Sequence, residues 1–296
     1  MKSLLLALAL IAAAPAPQVK VTFFTPEVVR VQKAPDAGGF HDGSVAVIAA
    51  PEAVQVKYRK SGASDVYTSS SLRVTVAPDG TVSFATASGK PLLKEGEASF
   101  TERREGLDKG AFVAKQAFLL EAGEPLYGLG ILQDGQLSLT GKTRYMRQDN
   151  TEDFVPFVQS VKGYGIFWDN PSTGTFTDKD DVASFESEVG TQIDYYFIYG
   201  GNADGVIAGM RGLTGHVPMI PLWGYGFMQS RERYKSSAEY LGVLRGYRER
   251  GVPIDCVIQD WQYWGNNYQW NAMEFLSEDF RDAQAMIDET HEKHAH

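Results

Sequence analysis

The sequence predicts a β-sandwich followed by the opening of an α/β domain. Three observations carry this. Between residues 18 and 198, apolar and polar residues alternate in short runs broken by Gly, Pro, Asn and Asp, the period of half-buried strands. After Gly201 the alternation stops. Continuous apolar runs at 222–229 and 252–260 then take turns with stretches of helical period. Strands without alternation suit a parallel sheet covered on both faces, so strand, helix, strand, helix marks a new architecture from near residue 215.

Taken in order, residues 1–17 carry one lysine, an apolar run at 4–14, and then small residues and prolines. That is the make-up of a secretory signal peptide, with Ala-x-Ala pairs at Ala12/Ala14 and Ala14/Ala16, and its apolar run is too short to span a bilayer. The expected location is therefore secreted or periplasmic, with no membrane association once the leader is removed. Within 18–215 the clearest element is 71–93. Leu72, Val74 and Val76 alternate, Pro78, Asp79 and Gly80 supply a turn, and Val82 and Phe84 alternate beyond it, which predicts a hairpin. Residues 163–168 and 192–199 are aromatic and β-branched, as strands prefer. Repeated strands of this length predict a sandwich.

In 216–296, Pro218 and Pro221 punctuate a connector and 222–229 reads as a buried strand. Residues 236–250 read as a helix, with Ser236 and Ser237 at its start, Tyr240, Leu241, Leu244 and Tyr247 along one stripe, and Gly251 as its stop. A second strand follows at 252–260. A second helix is expected over 277–294, capped by Ser277, with Phe280, Ala283 and Ile287 on one face. Two βα units close a sheet badly. An eight-unit barrel takes about 250 residues and roughly 80 are available, so these units are expected to be the first βαβα of a (β/α)₈ TIM barrel in a sequence that has been cut.

Composition removes several classes of function. Hydrophobic residues make up 43% and charged ones 22%, which describes a folded chain. The net charge of −9 without a Lys/Arg cluster argues against nucleic acid as a partner. The single cysteine, Cys256, sits in the apolar run 254–258 and reads as packing. His291 and His294 stand at zinc-like spacing beside Glu292, but no third ligand group accompanies them, so no metal or cofactor is expected. Neither Gly224 with Gly226 nor Gly128 with Gly130 completes a phosphate loop. Both pairs read as places of close backbone approach.

The chemistry concentrates after the second α/β strand. Asp260 stands at its C-terminal end, the end that faces the active site in barrels, where a carboxylate either binds substrate or caps the loop. The next residues hold Trp261, Tyr263, Trp264, Tyr268, Trp270 and Phe275 among Asn266, Asn267, Gln269 and Asn271. Flat rings cover the C–H faces of a sugar while amides bind its hydroxyls. At least one of these rings is expected to be core rather than binding surface.

Several runs resemble glycoside hydrolase family 31. PLWGYGFMQSR at 221–231 is similar to the family's first barrel strand, and GVPIDCVIQDW at 251–261 to its second. QDWQYWG at 259–265 with WNAMEF at 270–275 resembles the α-xylosidase branch. EPLYGLG at 124–130, QDNT at 148–151, VPFVQS at 155–160 and GYGIFWDN at 163–170 resemble its N-terminal sandwich. The resemblance implies a retaining α-glycosidase, an α-xylosidase on xyloglucan-type oligosaccharides or else an α-glucosidase. A non-catalytic carbohydrate-binding module is the rival from another class, and the two barrel strands argue against it. By the same resemblance Asp260 binds the hydroxyls of the sugar in the −1 subsite and is neither nucleophile nor acid. The segment around Asp149 and Asn150 is implied to lean over the barrel and help close the pocket. Trp264 is implied to limit room at the sugar's C5 substituent. Both catalytic carboxylates are expected beyond His296, so none of the residues present is assigned to catalysis.

Overall fold

The computed structural model describes residues 16–35 and 39–296. Most of the leader-like stretch 1–17 lies outside them. The chain folds as two compact units, one through His216 and one from Val217.

The first unit is an antiparallel sandwich. Its six-stranded sheet runs Gln18–Phe23, Val28–Ala34, Ile193–Tyr199, Tyr164–Trp168, Asp153–Ser160, Leu126–Ile131. The nine-stranded sheet runs from Thr143–Met146 through Gly174–Lys179, Val182–Gly190, Phe112–Leu119 and Pro91–Glu102. It continues through Val82–Thr86, Leu72–Val76 and Ser64–Thr68 to Lys57–Ser61. The hairpin expected over 71–93 is present, pairing Leu72 with Thr86, Val74 with Phe84 and Val76 with Val82. Its turn is closed by Thr81 N–H donating to Asp79 Oδ1 at 2.9 Å. The strands expected at 163–168 and 192–199 also form.

The two sheets meet through apolar side chains of both. Phe84 stacks on Phe197 at 4.0 Å between ring centres, and Phe118 meets Tyr195 edge-on at 5.2 Å, with Val29, Val31, Ile166, Trp168, Phe176 and Phe185 in the same core. A polar tie of three donors to one carboxylate crosses this interior. Lys33 Nζ donates to Glu95 Oε2 at 2.6 Å and Tyr195 Oη to Glu95 Oε1 at 2.7 Å, while Val82 N–H also donates to Glu95. Lys33 and Glu95 are each 1% exposed.

The other face of the six-stranded sheet is covered too. A helix, Ala203–Thr214, packs Val206 and Leu213 against Val28, Phe157, Tyr196 and Ile198. Asn202 caps it, accepting from Gly205 N–H at 2.9 Å. Sequence reading misses this helix because Gly205, Gly209 and Gly212 depress helix propensity. Two of them serve close approach: a Cβ on Gly205 would lie 2.2 Å from Gly200 O, and one on Gly209 2.5 Å from Ile198 Cγ2, while Gly212 faces open space. The pair Gly128 and Gly130 serves the same purpose, since a Cβ there would lie 2.3 Å from Phe157 O and 2.0 Å from Asp153 O.

On that covered face, Arg30 holds Asp194 with a two-pronged contact, Nε to Oδ1 at 2.9 Å and Nη2 to Oδ2 at 2.7 Å. Gln192 Nε2 adds a third donor at 2.7 Å. Burial outweighs these donors and pushes the Asp194 carboxyl from 3.8 up to about 6. Between those values the folded state binds the proton more tightly than the unfolded chain. This group's contribution to stability is therefore complete below about pH 4 and is lost as pH rises through about 6. Asp194→Asn removes that component, so the variant's Tm relative to wild type should climb between about pH 4 and pH 7. A difference that stays flat in thermal melts across this range would refute the assignment.

The second unit departs from expectation at its start. Leu222–Tyr225 is a short 3₁₀ turn and the strand is confined to Met228–Arg231, mostly exposed, where a buried strand over 222–229 was expected. Pro221 and the glycines at 224 and 226 break the run, and a Cβ on Gly226 would collide with Asp255 at 2.2 Å. The second strand is likewise shorter than 252–260, at Cys256–Gln259, and pairs in parallel with the first, Met228 opposite Cys256. The helix Ser237–Glu249 begins where expected, with Ser236 accepting from Glu239 N–H at 3.1 Å and Tyr240, Leu241 and Leu244 buried. The last helix is Ala283–Glu292, capped by Asp282. Ser277 instead caps a separate 3₁₀ turn, Glu278–Phe280. Met286 and Thr290 form the helix's buried stripe and Ile287 is exposed, because the break at Arg281 and Asp282 resets the phase set by Phe280.

Candidate functional site

The two parallel strands end at Arg231 and Gln259, so the segments that follow them leave from the same end of the sheet. Asp260 comes directly after the second strand. It is half-buried, and its Oδ1 accepts from Trp261 N–H at 2.9 Å. Its carbonyl accepts from Gln262 N–H at 2.6 Å. The loop then makes two 3₁₀ turns, Gln262–Trp264 and Asn267–Gln269, joined at Gly265. Gly265 has φ 107°, and a Cβ there would lie 2.4 Å from Gln269 Oε1. Only glycine permits that bend.

This path brings the three tryptophans together. Ring centres are 6.2 Å apart for Trp261 and Trp264, 5.6 Å for Trp261 and Trp270, and 5.3 Å for Trp264 and Trp270. Tyr263 and Phe275 extend the group. Trp261 stacks on both Trp264 and Trp270, those two meet at a tilt, and the three divide by exposure. Trp264 is 7% exposed and belongs to the interior, Trp261 is half-buried, and Trp270 is 56% exposed. Trp264 Nε1–H is buried without a hydrogen-bond partner among the described residues. Trp270 is the most exposed of the three tryptophans.

Sequence reading overlooks one participant, Arg233. It lies in the segment after the first strand, and its guanidinium carbon sits 4.5 Å from the Trp261 ring centre. Its Nε donates to Gln262 Oε1. A cation in a run of polar residues reads as solvated surface, and no local pattern signals a partner 28 positions on.

Asp149 and Asn150 belong to the sandwich unit, at an exposed turn before Asp153–Ser160. The Arg147 guanidinium and Asn150 N–H hold the Asp149 carboxyl below its usual range. Gln148 pins the base of the turn, exchanging hydrogen bonds with the Phe154 backbone at 2.8 and 2.9 Å. Arg147 and Gln148 also line a cleft of about 570 Å³ within this unit, with Phe154, Trp168 and Asp169. Asp169 Oδ1 accepts from Ser44 at 2.9 Å, and burial pushes its carboxyl up.

Among the described residues no group of three or more His, Cys, Asp or Glu is placed to hold a metal ion. Cys256 is half-buried and burial pushes its thiol up, which opposes nucleophilic use. No helix among the described residues is long and apolar enough to cross a membrane.

Comparison with known proteins agrees with both units. Residues 18–176 match the glycosyl hydrolase 31 N-terminal galactose mutarotase-like domain, and residues 217–296 the glycosyl hydrolases family 31 TIM-barrel domain. The chain is 35% identical over 289 residues to an α-xylosidase of Saccharolobus solfataricus, covering 92% of this chain and 38% of that protein. It therefore spans well under half of that relative's length. Among solved structures, a family 31 α-xylosidase from a soil metagenome complexed with xylose matches with a TM-score of 0.84 at 25% identity, over 96% of this chain and 44% of that one. A Flavobacterium johnsoniae dextranase complexed with glucose shares the fold, with a TM-score of 0.80 at 23% identity over 96% of this chain and 36% of that one. The sandwich and the two βα units are the N-terminal domain and the start of the TIM-barrel domain of a glycoside hydrolase, and the chain belongs to glycoside hydrolase family 31.

Proposed function

We propose that this chain is part of an exported α-xylosidase that acts on xyloglucan-type oligosaccharides with retention of configuration. The observation that carries the reading is the loop after the second parallel strand, where Asp260 at the strand end is followed at once by the tryptophan cluster. A carboxylate accepts hydrogen bonds from sugar hydroxyls, and an exposed indole covers a C–H face. The 35% identity to an α-xylosidase and the likeness to one complexed with xylose favour a pentose. In this reading Asp260 binds the −1 sugar and Trp264 limits space at its C5 position, while Trp261 and Trp270 complete the aromatic wall. Two carboxyl groups about 5–5.5 Å apart carry out a double displacement, and we assign neither to residues 1–296. Export rests on the leader-like residues 1–17.

The test uses the protein as expressed from its own gene. Aryl α-xyloside should be cleaved faster than aryl α-glucoside, and proton NMR should show the α anomer as the first-formed sugar, because two inversions restore configuration. A glucoside preference would move the reading to an α-glucosidase of the same family. Inverted product would remove the double-displacement mechanism, and sugar binding without hydrolysis would point to a binding module.

A further inference from the structure

We propose that Arg233 is the positioning residue for Asp260 and the aromatic wall, a role that rests on the glycosidase reading of this site. Two contacts from the segment after the first strand grip the segment after the second. The Arg233 guanidinium lies against the Trp261 ring, 4.5 Å from its centre, and its Nε donates to Gln262 Oε1. From the neighbouring residue, Tyr234 O accepts from Gln259 Nε2 at 3.0 Å. Tyr234 itself is anchored in the core, 1% exposed, with its ring edge-on to Tyr240 at 5.9 Å.

These contacts bracket the aspartate. Gln259 is the residue before it, Trp261 and Gln262 the two after it, and among the described residues Asp260 is hydrogen-bonded only to such neighbours. Its Oδ1 accepts from Trp261 N–H, and its carbonyl from Gln262 N–H and Gln259 Nε2. Whatever fixes Trp261 and Gln262 therefore fixes the direction of the Asp260 carboxylate. A guanidinium does both jobs at once, stacking its plane on an indole while its edge donates to an amide oxygen. Lysine can supply the charge over the ring but not the fixed fork. The residue belongs to the first loop and acts on the second, so beside the Tyr234 contact its side chain couples the two loops around Asp260.

The experiment compares Arg233→Ala and Arg233→Lys with the wild-type protein expressed from its own gene, by near-UV circular dichroism and by kinetics on aryl α-xyloside. Arg233→Ala should weaken the tryptophan bands, raise KM and lower kcat, with kcat/KM falling about a hundredfold, as for a displacement of about 1 Å near the reacting sugar. Arg233→Lys should recover part of both signals. Should the alanine variant fail to fold, the lysine variant still decides, by a KM raised at unchanged Tm. A lower Tm with unchanged KM and unchanged tryptophan bands would overturn the proposal. If the wild type neither binds nor cleaves the xyloside, the glycosidase reading fails by itself. The near-UV spectrum still judges the clamp, and intact tryptophan bands in Arg233→Ala would overturn it.

Discussion

Asp260→Ala, made in the protein as expressed from its own gene, is expected to reduce kcat/KM on aryl α-xyloside by on the order of a hundredfold or more, with Tm nearly unchanged. A hydrogen bond to a charged group contributes about 1.5–3 kcal/mol, so removing one such bond from the transition state slows the reaction by up to about a hundredfold. Two sugar hydroxyls held by one carboxylate would raise that further. Stability should hardly respond. Inside the protein the Asp260 side chain satisfies Trp261 N–H of its own loop, a local interaction that water can replace. Asp260→Asn keeps the size and one acceptor and should retain more activity than alanine. If both variants keep wild-type kcat/KM, Asp260 is a loop cap and the sugar lies elsewhere.

Lys33→Met is expected to act on stability, lowering Tm by about 10 °C. Lys33 and Glu95 are both 1% exposed and 2.6 Å apart. Removing one partner of such a pair costs about 3–5 kcal/mol, because the other charge stays buried without compensation. Burial already pushes the Glu95 carboxyl up and the Lys33 ammonium down. Without Lys33, Glu95 keeps only the Tyr195 hydroxyl and Val82 N–H as donors. The double variant Lys33→Met, Glu95→Gln should recover at least half of the loss, since its amide is uncharged: the oxygen still accepts from Val82 N–H, and the NH2 donates to the Tyr195 hydroxyl. A single variant that melts within about 2 °C of wild type would mean the tie contributes little to the fold.

The sequence reveals the fold where a local rule is obeyed and conceals it where a neighbour overrides that rule. The hairpin of Leu72–Val76 and Val82–Thr86 follows from alternation and turn chemistry alone. The helix Ala203–Thr214 is hidden because Gly205 and Gly209 answer to the backbone and side chain beneath them rather than to helix propensity. Residues 222–229 look like a strand because apolar side chains are usually buried, yet Leu222 is 87% exposed here. At the site, Asp260 is legible as a strand-end carboxylate and the tryptophans as a cluster. Their division into interior Trp264 and exposed Trp270 depends on ring packing that spacing does not encode. Arg233, like the pair of Lys33 and Glu95 set 62 positions apart, becomes visible only when distant segments meet.

The covering of the six-stranded sheet on both faces gives the sandwich a gradient of rigidity. Val28–Ala34 is buried along its whole length and lies between two other strands, so water reaches its amides only when the domain opens as a whole. Lys57–Ser61, at the far margin of the other sheet, is exposed at every residue and can peel away while the interior stays shut. Amide exchange is therefore expected to be faster at that margin than in the covered strands. Val28–Ala34 and Ile193–Tyr199, against which the covering helix rests, are expected to exchange most slowly.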